Sequence, residues 1–212
     1  MIEIINLGLN NLGSIVSALA ASTKVQPRII SSADESVSPR LLILPGTGSF
    51  GAAMGLLDER GFRDRLRAYG AEPSVRVAGI CLGMQLLGAT SEESPGIHGL
   101  GLVGGHTQVL PAFNGVDGRV PHVGWAGLDG PVGGTSFRFT AGTLRDVYFS
   151  HSYHLVLEDP DTDVLTVSRG ETRFVGAFRK NNITGYQFHP EKSSTFGLDV
   201  LTEMLRWAGI ED

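Results

Sequence analysis

The chain has 212 residues, 42% hydrophobic and 18% charged, with a net charge of −5. That length and mix suit a globular protein with a sizeable core, and the acidic balance argues against a nucleic-acid or membrane-surface binder. No run approaches the ~20 apolar residues of a membrane span, and a single cysteine behind a start with no basic-then-apolar leader points to a reducing compartment, the cytoplasm.

In chain order, Ile2–Leu7 reads as a buried strand that runs into the loop Gly8-Leu9-Asn10-Asn11. Ser14–Ala21 reads as the start of a helix. Leu41–Leu44 is a compact apolar strand stopped by Pro45-Gly46. Helices are expected over Ala52–Leu57 and Gly61–Tyr69, then a β-branched strand over Val75–Ile80, a turn at Cys81, and a helix over Met84–Gly88. Strand and helix alternate, the pattern of a mainly parallel sheet covered on both faces. Residues 97–149 are rich in glycine and proline, with short strand-like runs at Arg138–Thr140 and Val147–Tyr153. Phe174–Arg179 and Ile183–Phe188 flank Lys180-Asn181-Asn182, a polar hairpin turn. Phe196–Ala208 closes the chain as an amphipathic helix. Glycine, at 29 of 212 residues, has about twice its usual share and falls in clusters, which predicts many tight turns. The fold expected is α/β: one domain over residues 1–212, with a central mainly parallel sheet flanked by helices and β-rich insertions in the second half.

Gly79-Ile80-Cys81-Leu82-Gly83 has the form G-x-nucleophile-x-G after a strand and before a helix, the context a nucleophile elbow requires. It would present the thiol at the strand's carboxyl end, where open α/β sheets bind ligands. A helix N-terminus there favours thiolate over thiol. The elbow alone does not decide between a nucleophile and a buried structural cysteine. His189, in Gln187-Phe188-His189-Pro190-Glu191-Lys192, also follows a strand. In an extended segment His189 and Glu191 face the same side, and Pro190 is expected to keep that segment out of a helix. A carboxylate beside an imidazole fixes its tautomer and supports its charged form. Two half-sites of one mechanism, each at a strand end, strengthen each other. Pro45-Gly46-Thr47-Gly48 supplies a third piece, a glycine turn whose backbone N–H groups suit an oxyanion.

Other features carry less. His151 and His154 would point to opposite faces of one strand and make a poor metal pair. His98 and His106 lie in glycine-rich stretches without carboxylate neighbours and read as surface residues. Gly8 and Gly13 have the wrong spacing for a dinucleotide fingerprint. No metal or organic cofactor is expected.

GICLGMQLL, LPGTGSFG, VPHVGW, YFSHSYH and QFHPEKSS, in this order, make the chain resemble the class I (triad) glutamine amidotransferases from end to end. PHVGW and HSYH resemble most the branch of glutaminase subunits that serve imidazole glycerol phosphate synthases. The resemblance implies Cys81 as nucleophile, His189 as base and Glu191 as its carboxylate. It implies an oxyanion hole from the Gly46-Thr47-Gly48 strand, with Thr47 and Gly48 as its residues and the N–H of Leu82 as second donor. It implies that Gly46, Gly48, Gln85, His151, Ser152 and Tyr153 bind the substrate, L-glutamine. It further implies a (β/α)₈-barrel cyclase subunit as heterodimer partner, docked over Asn10, Asn11, Pro121, His122 and Trp125. Without it, Trp125 would read as a tryptophan pinned under its own loop. Thr47, Ala126 and the loop GLNNLG depart from the usual pattern of this branch and bear on which synthase is served. A paralogous glutaminase serving another synthase, a stand-alone γ-glutamyl hydrolase and a non-catalytic subunit remain open at this point.

Overall fold

A computed structural model describes residues 1–9, 12–111, 120–129, 136–140 and 145–210. Its first half alternates as expected: β1 (Ile2–Ile5), α1 (Gly13–Ser22), β2 (Arg28–Ile30), β3 (Leu41–Gly46), α2 (Phe50–Glu59), α3 (Phe62–Gly70), β4 (Arg76–Cys81) and α4 (Leu82–Leu86). The second half holds β5 (Thr90–Ser91), β6 (Gly105–Val109), β7 (His122–Gly127), β8 (Asp146–His151), β9 (Tyr153–Leu157), β10 (Asp163–Arg169), β11 (Thr172–Lys180), β12 (Ile183–Tyr186) and α5 (Ser194–Trp207).

Seven strands form the main sheet in the order β10-β11-β12-β4-β3-β1-β2. β12, β4, β3, β1 and β2 run parallel, while β10 and β11 are antiparallel additions at one edge. The apolar run Leu41–Leu44 explains itself here. Leu41 and Ile43 face the core under α1 and α5, while Leu42 and Leu44 face the core under α2 and α3. A strand buried on both faces has no polar side, so its sequence does not alternate. The expected hairpin closes on Asn181 and Asn182, with Lys180 paired to Ile183; Asn181 takes φ 52, a left-handed conformation that asparagine tolerates.

Two expectations fail in the second half. Arg138–Thr140 forms no strand. It is held instead as a loop across α5, where Asp199 accepts hydrogen bonds from the Thr140 N–H (2.8 Å) and hydroxyl (2.6 Å). Val147–Tyr153 is not one strand either, since it breaks at Ser152. β8 pairs with β7 in a two-stranded sheet, and β9 pairs with β6 in a three-stranded one. His151 and His154 therefore stand on different strands, and among the described residues no group of His, Cys, Asp and Glu could hold a metal ion. His106 has a carboxylate neighbour after all, Glu158, 3.1 Å from its Nδ1 across the β6–β9 pair. No helix of the described residues is long and apolar enough to cross a membrane.

The sheet sets the site. Gly46 at the end of β3 pairs in register with Cys81 at the end of β4. Tyr186, at the end of β12, pairs with Ile80. Three parallel strands thus deliver the Gly46 turn, Cys81 and the approach to His189 to one edge.

Candidate active site

Cys81 ends β4 and caps α4 with φ 54 and ψ −112. That region is costly for any residue with a Cβ, and such strain collects at functional sites. The two flanking glycines make the turn possible. A Cβ on Gly83 would run into the Leu44 carbonyl, and one on Gly79 into the backbone of Gly83. Strand and helix thus pack backbone to backbone, and the thiol is lifted out of the β4 line. Leu82 opens α4, where the first N–H groups of a helix lack intrahelical partners.

His189 follows β12, and its N–H donates to the Tyr148 carbonyl (2.9 Å). The segment after it is not extended as expected. Pro190–Lys192 forms a 3-10 turn with proline at its first position, which proline favours because its fixed φ suits a helix start. The turn, rather than strand alternation, brings Glu191 Oε1 within 2.8 Å of His189 Nδ1. Both side chains are buried. Burial disfavours the charged ring, but the contacts with Cys81 and Glu191 outweigh it and hold the His189 pKa up to about 9. The imidazole is thus suited to keep the proton that the thiol gives up.

Cys81 and His189 share a cavity of about 360 Å³, whose wall also holds Thr47, Gly48, Leu82 and Gln85. His151, Ser152 and Tyr153 complete the side formed by β8 and β9. Gly46 lies behind them, on a smaller cavity of about 110 Å³ shared with His189 and Glu191. Gly48 has φ +97, the turn geometry that glycine tolerates, and the Thr47 hydroxyl donates to the Leu9 carbonyl (2.6 Å). Gln85 Nε2 donates to the Tyr153 carbonyl (2.8 Å), which also accepts from His151 Nδ1 (2.8 Å). Burial above all, with the nearby charges of His122, His154 and Arg169, drives the His151 pKa down to about 3, so this ring is neutral.

The expected contact face is divided. Asn10 and Asn11 lie outside the described residues. Pro121 lines the cavity. Trp125 is 54% exposed on β7, and Val123, within the same Pro121–Trp125 stretch, is 58% exposed beside it. His122 points the other way: it is 2% exposed and stacks on Phe149 at 4.8 Å. Strand alternation sends His122 inward and its neighbour outward, so His122 is no surface contact.

Sequence reasoning passed over Gln187 and Glu93. Gln187 is fully buried beside Cys81; it sits inside QFHPEKSS, yet nothing in the pattern marks its side chain's target. Glu93 puts a carboxylate on the cavity wall while its Oε2 accepts from the Phe50 N–H at the start of α2 (2.7 Å). It lies in the polar run Ser91–Ser94, which looks like any solvated loop.

The family "Glutamine amidotransferase class-I" matches residues 4–205. The chain is 39% identical over 211 residues to "Imidazole glycerol phosphate synthase subunit HisH" of Moorella thermoacetica, covering 98% of this chain and 97% of that one. It is 35% identical to "Imidazole glycerol phosphate synthase hisHF, chloroplastic" of Arabidopsis thaliana, covering 97% of this chain but 34% of that longer one. Among solved structures, one described as a glutamine amidotransferase superposes with a TM-score of 0.76 at 19% identity, over 98% of both chains.

Proposed function

This chain belongs to the class-I glutamine amidotransferase family, and from that premise we propose that it hydrolyses L-glutamine and passes the ammonia to a (β/α)₈-barrel cyclase subunit of imidazole glycerol phosphate synthase, in histidine biosynthesis in the cytoplasm. The observation that carries this reading is the pairing of a strained Cys81 with a His189–Glu191 contact of 2.8 Å at one cavity. Residues 1–212 act as one amidotransferase domain.

The cycle balances with water as its one co-reactant. His189 holds the thiol proton, and Cys81 Sγ attacks the side-chain amide carbon of glutamine. The oxyanion is received by backbone N–H groups of the Thr47–Gly48 turn and of Leu82; removing one such donor typically costs about 10²–10³ in rate. His189 gives its proton to the departing nitrogen, ammonia leaves, and a γ-glutamyl thioester remains. His189 then takes a proton from water as its oxygen attacks and cleaves the thioester, the thiolate and the charged imidazole reform, and glutamate departs as its new γ-carboxyl proton passes to the ammonia or to solvent. Gln85 and the His151–Tyr153 segment hold the amino-acid end. Glu93 supplies the negative charge that an α-ammonium group requires. A cavity of about 360 Å³ is at the small end for ligand sites, as a single amino acid needs.

The partner sits over β7. Val123 and Trp125 stand exposed on it, and Pro121 and Val123 reach the cavity rim. An aromatic anchor beside the rim suits an interface that must keep ammonia from water. Trp125→Ala should leave the melting temperature near that of the parent while the ratio of glutamate to cyclase product rises above one. A lower melting temperature with the ratio still at one would place Trp125 in the core instead.

A glutamine-analogue alkylator tests the whole reading. Peptide mass spectrometry should find one label per chain, on Cys81, with glutaminase activity lost in proportion. No label with the partner present would overturn it.

A further inference from the structure

We propose that Gln187 belongs to the catalytic machinery: its side-chain amide donates a hydrogen bond to the Cys81 thiolate and offsets the opposing carbonyl of Ser150. The inference rests on Cys81 being the nucleophile.

Cys81 Sγ lies between two groups of opposite preference, the Ser150 carbonyl oxygen at 3.9 Å and Gln187 Nε2 at 3.9 Å. A thiol can donate to the carbonyl. A thiolate cannot, and then faces the negative end of that dipole. An N–H donor on the other side reverses the balance, because hydrogen bonding to the charged form favours it.

The direction of the Gln187 amide follows from its neighbours. The Tyr153 carbonyl can only accept, so the atom of Gln85 2.8 Å from it is the nitrogen. That same nitrogen lies 3.2 Å from the other end of the Gln187 amide, which must then be an oxygen. Gln187 Nε2 is left facing the sulfur. The backbone is held too, since the Gln187 N–H donates to the Gly176 carbonyl (2.8 Å). Gln187 is 0% exposed, so water does not compete for its donor. Gln85 thus has a second task beside the substrate: it aims Gln187.

Among the described residues, the titratable and charged groups on the wall of the cavity that holds the sulfur are His189 beyond β12, Lys192 on the 3-10 turn, Glu93 after β5, and His151 and Tyr153 on β8 and β9, with Glu191 behind His189. Replacing Gln187 leaves all of them in place.

Cys81 is the chain's one cysteine, so alkylation by iodoacetamide reports it alone. The pH profile of that reaction is measured on the full chain, on Gln187→Met and on Gln187→Glu, with thermal melts alongside. The midpoint should rise by about one pH unit in Gln187→Met, the size expected for a hydrogen bond to a charged group. It should rise further in Gln187→Glu, where a carboxylate replaces the donor. Glutaminase kcat at neutral pH should fall about tenfold with KM within about twofold, and recover as pH is raised. Folded variants whose midpoints match the parent's would overturn the proposal. So would loss of folding in both variants, which would make Gln187 a core residue only. A different result marks failure of the underlying reading: the parent alkylates like an ordinary thiol, near pH ~8.5, and Cys81→Ser keeps its glutaminase.

Discussion

Among the described residues two acid–base pairs are buried, and they are built differently. Arg179 and Glu203 meet at two points, Nη1 to Oε1 and Nη2 to Oε2, both 2.9 Å. The guanidinium lies against the rings of Phe137 (4.4 Å) and Trp207 (4.5 Å). Both carboxylate oxygens are used, and the planar fork of arginine fits a carboxylate along two bonds, although Arg179 Nε is buried without a hydrogen-bond partner among the described residues. His189 and Glu191 meet at one point, and the second Glu191 oxygen is buried with no hydrogen-bond partner among the described residues. His189 also stands on two cavity walls and reaches Cys81. The closed pair holds structure. The open pair meets through a single bond and reaches the nucleophile, which suits a moving proton.

If that contrast is right, breaking each pair damages a different quantity. His189→Ala should reduce glutaminase kcat of the folded fraction by at least about 10²–10⁴-fold, the worth of general acid–base catalysis, a rate loss that exceeds its effect on the melt. Glu203→Gln should do the reverse. It strands a buried guanidinium, so a denaturant titration should lose about 3–5 kcal/mol, while kcat of the folded fraction stays near that of the parent. Rate loss without destabilisation in Glu203→Gln would erase the distinction.

Glu191→Gln should cost less rate than His189→Ala, because the carboxylate only orients and supports the ring that moves the proton. It also has a signature in stability. The His189 pKa is raised from 6.5 to about 9, so its contribution to the fold is complete below pH ~6.5 and is lost as pH rises through about 9. Glu191→Gln should flatten that loss between roughly pH 6.5 and 9. Equal, mild rate losses in both variants would contradict the assigned roles.

The smallest effect sharpens the contrast from the acid side. His151 is depressed to about 3, so the unfolded chain takes up its proton first, and its contribution is complete above pH ~6.5 and lost on acidification toward pH 3. His151→Gln should reduce the slope of unfolding free energy against pH, near pH 5, by about one proton. An unchanged slope would mean that the ring is charged in the folded chain.

The two regions also differed in how far the sequence revealed them. The elbow could be read because its strain needs glycines at fixed offsets, at Gly79 and Gly83. The parallel strands could be read because double burial leaves runs such as Leu41–Leu44. The sequence puts Glu191 beside His189, but a 3-10 turn and not an extended strand brings them together, a local geometry that two-residue spacing does not reveal. The Arg179–Glu203 pair left no trace, because its partners are 24 positions apart on β11 and α5. β10, with Leu165 and Val167 inward among polar neighbours, does not stand out from its polar stretch. The inward turn of His122 depended on a β7–β8 pairing that only the folded chain defines.

The central claim is that Cys81 serves the glutamine step and nothing else. The direct measurement is cyclase product formation by the complex carrying Cys81→Ala, once with glutamine and once with ammonium salt as nitrogen source. No product from glutamine with parental turnover from ammonium is the expected result. Loss of both activities would make Cys81 a structural residue and contradict the account.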